Sequence, residues 1–189
     1  NDPKDYKMGF PWHPHRGIET ITYILKGSIE HKDSLGNSGE LSDGDVQWMT
    51  AGSGILHQEM PKGNIKGEMH GFQLWANLPS SLKMTNPNYQ DIKSGDMKVI
   101  NEDDGTIIKI LIGDYKGYNG IIKGIASQPQ YFDIYVPPNK IKNFPISLRD
   151  NCFAYVFEGE ANFDYASEPK GIKIEKSFNN EDYTIRDMS

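Results

Sequence analysis

Phe10-Pro11-Trp12-His13-Pro14-His15-Arg16-Gly17-Ile18-Glu19-Thr20 is the stretch that decides the fold, and His57-Gln58-Glu59 answers it 42 positions after His15. His13/His15 and His57/Glu59 are two H-x-[H/E] pairs. Side chains alternate across a strand, so residues two apart share a face. Placed on neighbouring strands, the pairs bring three imidazoles and one carboxylate to a single point. Three neutral nitrogens and one anionic oxygen suit a divalent first-row metal and leave room for water, dioxygen or substrate. That is the donor set of a catalytic site rather than a closed structural one. All five histidines (His13, His15, His31, His57 and His70) fall within the first 70 residues. One metal per chain, bound in the first half, is therefore expected.

Outward from these pairs, short β-type runs alternate with Gly, Pro, Asn and Asp. Glu19 to Leu25 is rich in β-branched residues and bounded by Gly17 and Gly27. Asp33 to Gly39 and Ala51 to Gly54 are turn clusters, with Val46-Gln47-Trp48-Met49 between them and a further strand from Met69 to Leu78. The best helix candidate is the short stretch Ser80 to Met84, after Pro79. Many short strands with frequent turns predict an all-β sandwich or closed barrel. Beyond Tyr89 the pattern restarts: Tyr23 to Gly27 resembles Tyr155 to Gly159 at an offset of 132 residues, which predicts a duplicated module. Ile107 to Ile112, Tyr131 to Val136 and Phe153 to Phe157 are its expected strands. The same offset carries His13 and His15 onto Pro145 and Ser147, so the second copy is expected to hold no metal.

Composition excludes several classes. Among 189 residues, 37% are hydrophobic and 24% charged, with a formal net charge of −6. No Lys/Arg run reaches five residues, so no basic stripe is present to replace phosphate counterions and direct nucleic-acid binding is not expected. No apolar run approaches the roughly 20 residues that span a bilayer. The single cysteine, Cys152, fits a reducing compartment and lies in an apolar run, which predicts a buried, inert thiol. The chain opens at Asn1 and meets a site motif within 13 residues, so elements are expected to be missing at both termini. His31 reads as the end of a surface strand and His70 as a candidate for lining the pocket. Trp12, Trp48 and Trp75 read as core and rim packing, and Arg16 as either a partner for carboxylates at the site or a structural ion pair.

Two resemblances follow from these residues. His13-Pro14-His15 with Glu19 and Gly27 resembles the first cupin motif. Gly44-Asp45, Gly52, Gly54 and His57 resemble the second, with two extra residues before this His. The likeness tightens over longer strings: Phe10 to Thr20, Gly44 to Gly52, Gly54 to Pro61 and Gln73-Leu74-Trp75-Ala76-Asn77-Leu78-Pro79 together resemble the pirin family, densely from Gly9 to about Gln90 and thinly afterwards. That resemblance implies an all-β bicupin, two double-stranded β-helix barrels with metal in the first only. It sets a metal-binding N-terminal cupin domain at 1–92 and a metal-free cupin-like domain at 93–189. It also implies metal ligands His13, His15, His57 and Glu59. On the residues alone Glu19 stays open as the carboxylate ligand, because it shares parity with His13 and His15.

The resemblance further implies quercetin 2,3-dioxygenase-type activity on a flavonol with O2, Glu59 doubling as the catalytic base. The metal it implies is Fe(II), with Cu, Ni, Co, Mn and Zn as alternatives. The competing expectation is a non-catalytic, iron-binding, redox-responsive transcriptional co-regulator that works through a protein partner. Either role places the chain in the cytoplasm, or in the nucleus if the source is eukaryotic, without a membrane or direct nucleic-acid partner.

Overall fold

The computed structural model describes residues 3–124 and 128–163, together with the backbone of 172–175 and 185–188. A single helical turn, α1 (Pro3–Tyr6), precedes a series of strands: β1 (Phe10–His15), β2 (Ile18–Lys26), β3 (Ile29–Asp33), β4 (Ser38–Leu41), β5 (Val46–Thr50), β6 (Ile55–Pro61), β7 (His70–Asn77) and β8 (Asn88–Ile92). Then come β9 (Lys98–Asn101), β10 (Ile107–Ile112), β11 (Asp114–Tyr115), β12 (Tyr118–Asn119), β13 (Tyr131–Tyr135), β14 (Ile172–Glu175) and β15 (Ile185–Met188). The all-β expectation holds. The stretch after Pro79 forms only a 3-10 turn, Ser80–Leu82. Two compact units divide the chain, Asn1–Lys142 and Asn143–Ser189.

In the first unit, two four-stranded antiparallel sheets run in the orders β1-β6-β3-β4 and β7-β2-β5-β8. The first chain corner explains how β1 and β2 come to lie in different sheets. Gly17 sits at φ +68°, in the left-handed region that only glycine enters without steric cost. Its N–H donates to the Gly52 carbonyl at 2.8 Å. The strand therefore breaks between His15 and Ile18 and restarts on the facing sheet.

Each central strand has two working faces. On β2, Thr20, Thr22 and Ile24 point toward the β1-β6-β3-β4 sheet, and Thr22 meets Glu59 there. On the same strand, Ile21 and Tyr23 join Val46, Trp48, Ile92, Met97, Leu111, Ile112 and Ile122 in an apolar core on the other side. That is why all six residues from Glu19 to Ile24 are buried, with no polar outer face. The space between the two sheets is closed by two smaller apolar clusters, Ile24/Ile29/Leu41 and Met49/Ala51/Ile55. Between them lies a polar layer that holds the site.

The outer core is covered by the sheet β13-β10-β9. Ile107–Ile112 and Tyr131–Tyr135 thus form strands where the sequence predicts them. Phe153 to Phe157 does not: among the described residues it pairs with no strand, and Phe153 and Tyr155 are exposed. An apolar run becomes a strand only where a partner accepts its ladder of backbone bonds. Tyr23 lies on β2 and Tyr155 on no strand, so the two do not occupy equivalent strands. Cys152, expected to be buried, is exposed for the same reason.

A polar clamp fastens the covering sheet to β2. Tyr23 Oη donates to Asp133 Oδ2 at 2.6 Å and accepts from Lys109 Nζ at 3.1 Å. Burial and the neighbouring carboxylate push the Tyr23 phenol far above its usual range. It therefore stays a donor at all physiological pH. Tyr23→Phe strips Asp133 of that donor and is expected to destabilise the chain by about 1–3 kcal/mol. Urea denaturation should show it, with Tyr118→Phe, an exposed ring, as a control expected to stay within about 0.5 kcal/mol of the parent.

Candidate metal centre

The site begins with the register between β1 and β6. His13 lies directly across from His57, and His15 across from Ile55. Alternation on β6 buries Ile55, His57 and Glu59 and turns Leu56 outward, so the three imidazoles predicted from spacing do converge. Ring centroids are 4.8 Å apart for His13–His15, 4.4 Å for His13–His57 and 4.9 Å for His15–His57. One ligating nitrogen from each ring lies within 4.8 Å of the other two. Among the described residues, these three form the one His/Cys/Asp/Glu group gathered so closely.

These residues fit a divalent cation. His13 Nδ1 lies 2.8 Å from the Pro11 carbonyl, which can only accept, so Nδ1 carries the proton and Nε2 offers a lone pair. That Nε2 is 3.1 Å from His15 Nε2, a spacing that two nitrogens at ~2.1 Å from one metal make at an angle of about 95°, nearer to neighbouring octahedral positions than to tetrahedral ones. Both His57 nitrogens are buried without a hydrogen-bond partner, an arrangement that costs free energy unless something else binds there. Burial, and then the neighbouring His13 and His15, press the His57 imidazole down to about 4. Burial and His13 lower His15 as well. Both rings are therefore neutral near pH 7, as metal ligands must be.

Glu59 is the fourth residue of the expected set. It is buried on β6, on the same face as His57, and near enough to His13 to feel its charge. Burial raises its carboxyl above the usual range, opposed by hydrogen bonds from Gln73 and Thr22. Gln73 Nε2 lies 3.0 Å from each carboxylate oxygen and Thr22 Oγ1 lies 3.5 Å from Oε1. Glu19 sits elsewhere. It shares the face of Ile21 and Tyr23, away from Thr22, and accepts from Thr50 Oγ1 at 2.8 Å. The parity that kept it open was counted straight through Gly17, where the chain turns the corner.

Three other expectations change. His31 is buried rather than at a surface strand end: it faces inward on β3, stacked on Tyr89 and 3.6 Å from Asp91. His70 tilts against Phe72 on the opposite face of β7 from Gln73 and does not line the site. Arg16 reaches Met84 Sδ rather than a carboxylate. Sequence spacing missed Thr22 and Gln73, which brace Glu59 from the facing sheet. Trp75 was read as packing, yet it lies edge-on to His15 at 5.0 Å and donates to Gln73. The available signal was a glutamine standing between Phe72 and Leu74 on an otherwise apolar strand.

Comparison with known proteins points the same way. A family model described as Pirin matches residues 1–76. The chain is 43% identical over 157 residues to a pirin-like protein of Caulobacter vibrioides, covering 82% of this chain and 56% of that protein. A solved Geobacillus kaustophilus protein matches with a TM-score of 0.55 at 48% identity, over 61% of this chain and 45% of that one. A solved quercetin 2,3-dioxygenase of Acinetobacter baumannii gives a TM-score of 0.55 at 41% identity, over 61% and 42%. The chain spans about half the length of the curated relatives it matches.

Two outcomes are expected. His57→Ala should weaken divalent-metal binding by more than the ~10–100-fold that loss of an outer hydrogen-bond partner costs, measured by chelator competition. In metal-free protein, the folded His57 value of about 4 lies below the ordinary 6.5, so the unfolded chain binds the extra proton between them. The stability is complete above about pH 6.5 and is lost as pH falls toward 4, by on the order of 3 kcal/mol. Urea midpoints across that window should fall more steeply for the parent than for His57→Gln.

Proposed function

Because the chain belongs to the pirin family, we propose that it is a metal-dependent dioxygenase of a flavonol such as quercetin. In this reading one divalent ion, Fe(II) first among the candidates, is held by His13, His15, His57 and Glu59. The observation that carries it is the meeting of three imidazoles, two of them with depressed basicity, with a buried carboxylate two residues from His57 on the same strand face. Residues 1–92 are the metal-binding cupin domain in this reading, and 93–189 the metal-free cupin-like part.

A bound divalent metal would supply Lewis acidity, lowering the pKa of the flavonol 3-hydroxyl and leaving positions for O2. The remaining work falls to the chain. Glu59 accepts the 3-hydroxyl proton on a carboxylate oxygen. Its raised pKa brings it closer to the operating pH, where a general base is most effective. The Pro11 carbonyl holds the His13 tautomer and ring angle. Trp75 presents an exposed aromatic face at the ring of His15, a surface on which a flat flavonol can rest. Its edge-on contact restrains the His15 ring.

The test is turnover by purified protein loaded with Fe(II) under nitrogen, then mixed with quercetin and air. Loss of flavonol absorbance should match O2 consumed and carbon monoxide released. Glu59→Gln should retain part of the metal and lose about 10²–10⁴-fold in rate. A parental rate in that variant would remove Glu59 as the base. No turnover by the parent with Fe(II), Cu, Ni, Co or Mn would overturn the dioxygenase reading.

A further inference from the structure

We propose that Gln73 is the positioning residue for Glu59, and that Trp75 determines which end of the Gln73 amide faces it. This rests on the reading that Glu59 works together with His13, His15 and His57. Gln73 and Trp75 are two residues apart on β7, so both project from one face. Register sets Gln73 directly across from Thr22, and Trp75 across from Thr20. That face is exposed along β7, and from it Gln73 reaches Glu59, which projects from the β1-β6-β3-β4 sheet.

Donor chemistry leaves the amide one orientation. An indole N–H can only donate, and Trp75 Nε1 lies 2.9 Å from Gln73 Oε1. The carbonyl end of the amide is therefore taken by Trp75, and the NH2 end must turn the other way. There it lies 3.0 Å from both Glu59 oxygens and 3.2 Å from Thr22 Oγ1. An ionised carboxylate only accepts, so the pairing is satisfied at each end and a flipped amide would fail at both. One donor shared between two oxygens fixes the rotation of the carboxylate about its last bond. Without it, that torsion is broad and nearly two-fold.

Trp75 is itself held. Its ring is edge-on to His15 at 5.0 Å with an interplanar angle of 80°. Trp75, Gln73 and Glu59 thus form one path from the rim of the site to the buried carboxylate, and the path touches the imidazole cluster at His15. Losing an outer hydrogen-bond partner of a metal ligand typically costs 10–100-fold in affinity or activity.

The probe is Co(II), whose visible absorption reports its ligands. Gln73→Leu removes the amide at similar volume, and Trp75→Phe removes the indole N–H while keeping an aromatic ring. Gln73→Leu is expected to weaken Co(II) binding about 10–100-fold by chelator competition and to shift the visible band. Trp75→Phe should move both in the same direction by less. In metal-free protein Gln73→Leu also strips buried Glu59 of a donor, so its melting temperature should fall; Trp75→Phe leaves that donor in place and should melt close to the parent, which a general packing role for Trp75 would not allow. In steady-state quercetin assays both variants should lower kcat with little change in KM. Parental Co(II) affinity and an unchanged band in Gln73→Leu would overturn the proposal. If that variant does not fold, the same parental result in Trp75→Phe overturns it. A parent that binds no Co(II) counts against both the site and this role. Co(II) effects in a parent without quercetin turnover would sink the dioxygenase reading and sustain Gln73, whereas turnover with no Gln73 effect would do the reverse.

Discussion

The first unit depends on the antiparallel register that sets His13 against His57. In a strand the side-chain period is two, so slipping β1 by one residue would carry His13 and His15 to the outer face together. The same slip would drive Trp12 and Pro14 inward. Two features pin the register. Gly17 fixes where β1 must end, through its left-handed turn and its bond to Gly52. Ile55, directly across from His15, is committed to the Met49/Ala51 cluster. The position of the imidazoles is thus decided by apolar packing and one corner.

A second constraint is electrostatic. The layer between the facing sheets holds Glu59, His31, His57 and Thr22, all buried. Burying a carboxylate without partners costs several kcal/mol. Two donors on the facing sheet offset part of this for Glu59, and its basicity still rises. Ring nitrogens without a hydrogen-bond partner remain in the layer at His57 and at His31, whose Nε2 has Asp91 at 3.6 Å. A cation at the imidazole cluster would satisfy one nitrogen of His57 and draw the carboxylate at once. The apolar clusters above and below that layer keep the arrangement from relaxing by repacking.

Much of this was legible from residues. Both H-x-[H/E] pairs, the strand runs from Glu19 to Leu25 and from Ile107 to Ile112, and the turn glycines are local signals with local causes. Glu19 stayed open beside Glu59 because parity was counted across a residue at positive φ. His31 was misjudged because its environment comes from β8, far along the chain, through Tyr89 and Asp91. The Tyr23–Asp133 bond joins residues 110 apart, and no period or motif announces such a pair. Phe153 to Phe157 has the composition of a strand, but pairing is a property of two segments and cannot be read from one. Gln73 fell between these cases: its place on a face was readable, its partner was not.

The two facing sheets divide the labour. His13, His15, His57 and Glu59 all come from β1 and β6, while Thr22, Gln73 and Trp75 come from β2 and β7. In the proposed site, ligand identity and ligand surroundings are therefore encoded in separate strands. Drift along β7 can retune how the carboxylate is held, and what rests against the aromatic rim, while every metal-facing nitrogen stays in place. A lineage built on this scaffold can explore new substrates by accumulating changes on one sheet, with the other preserved as an inherited frame.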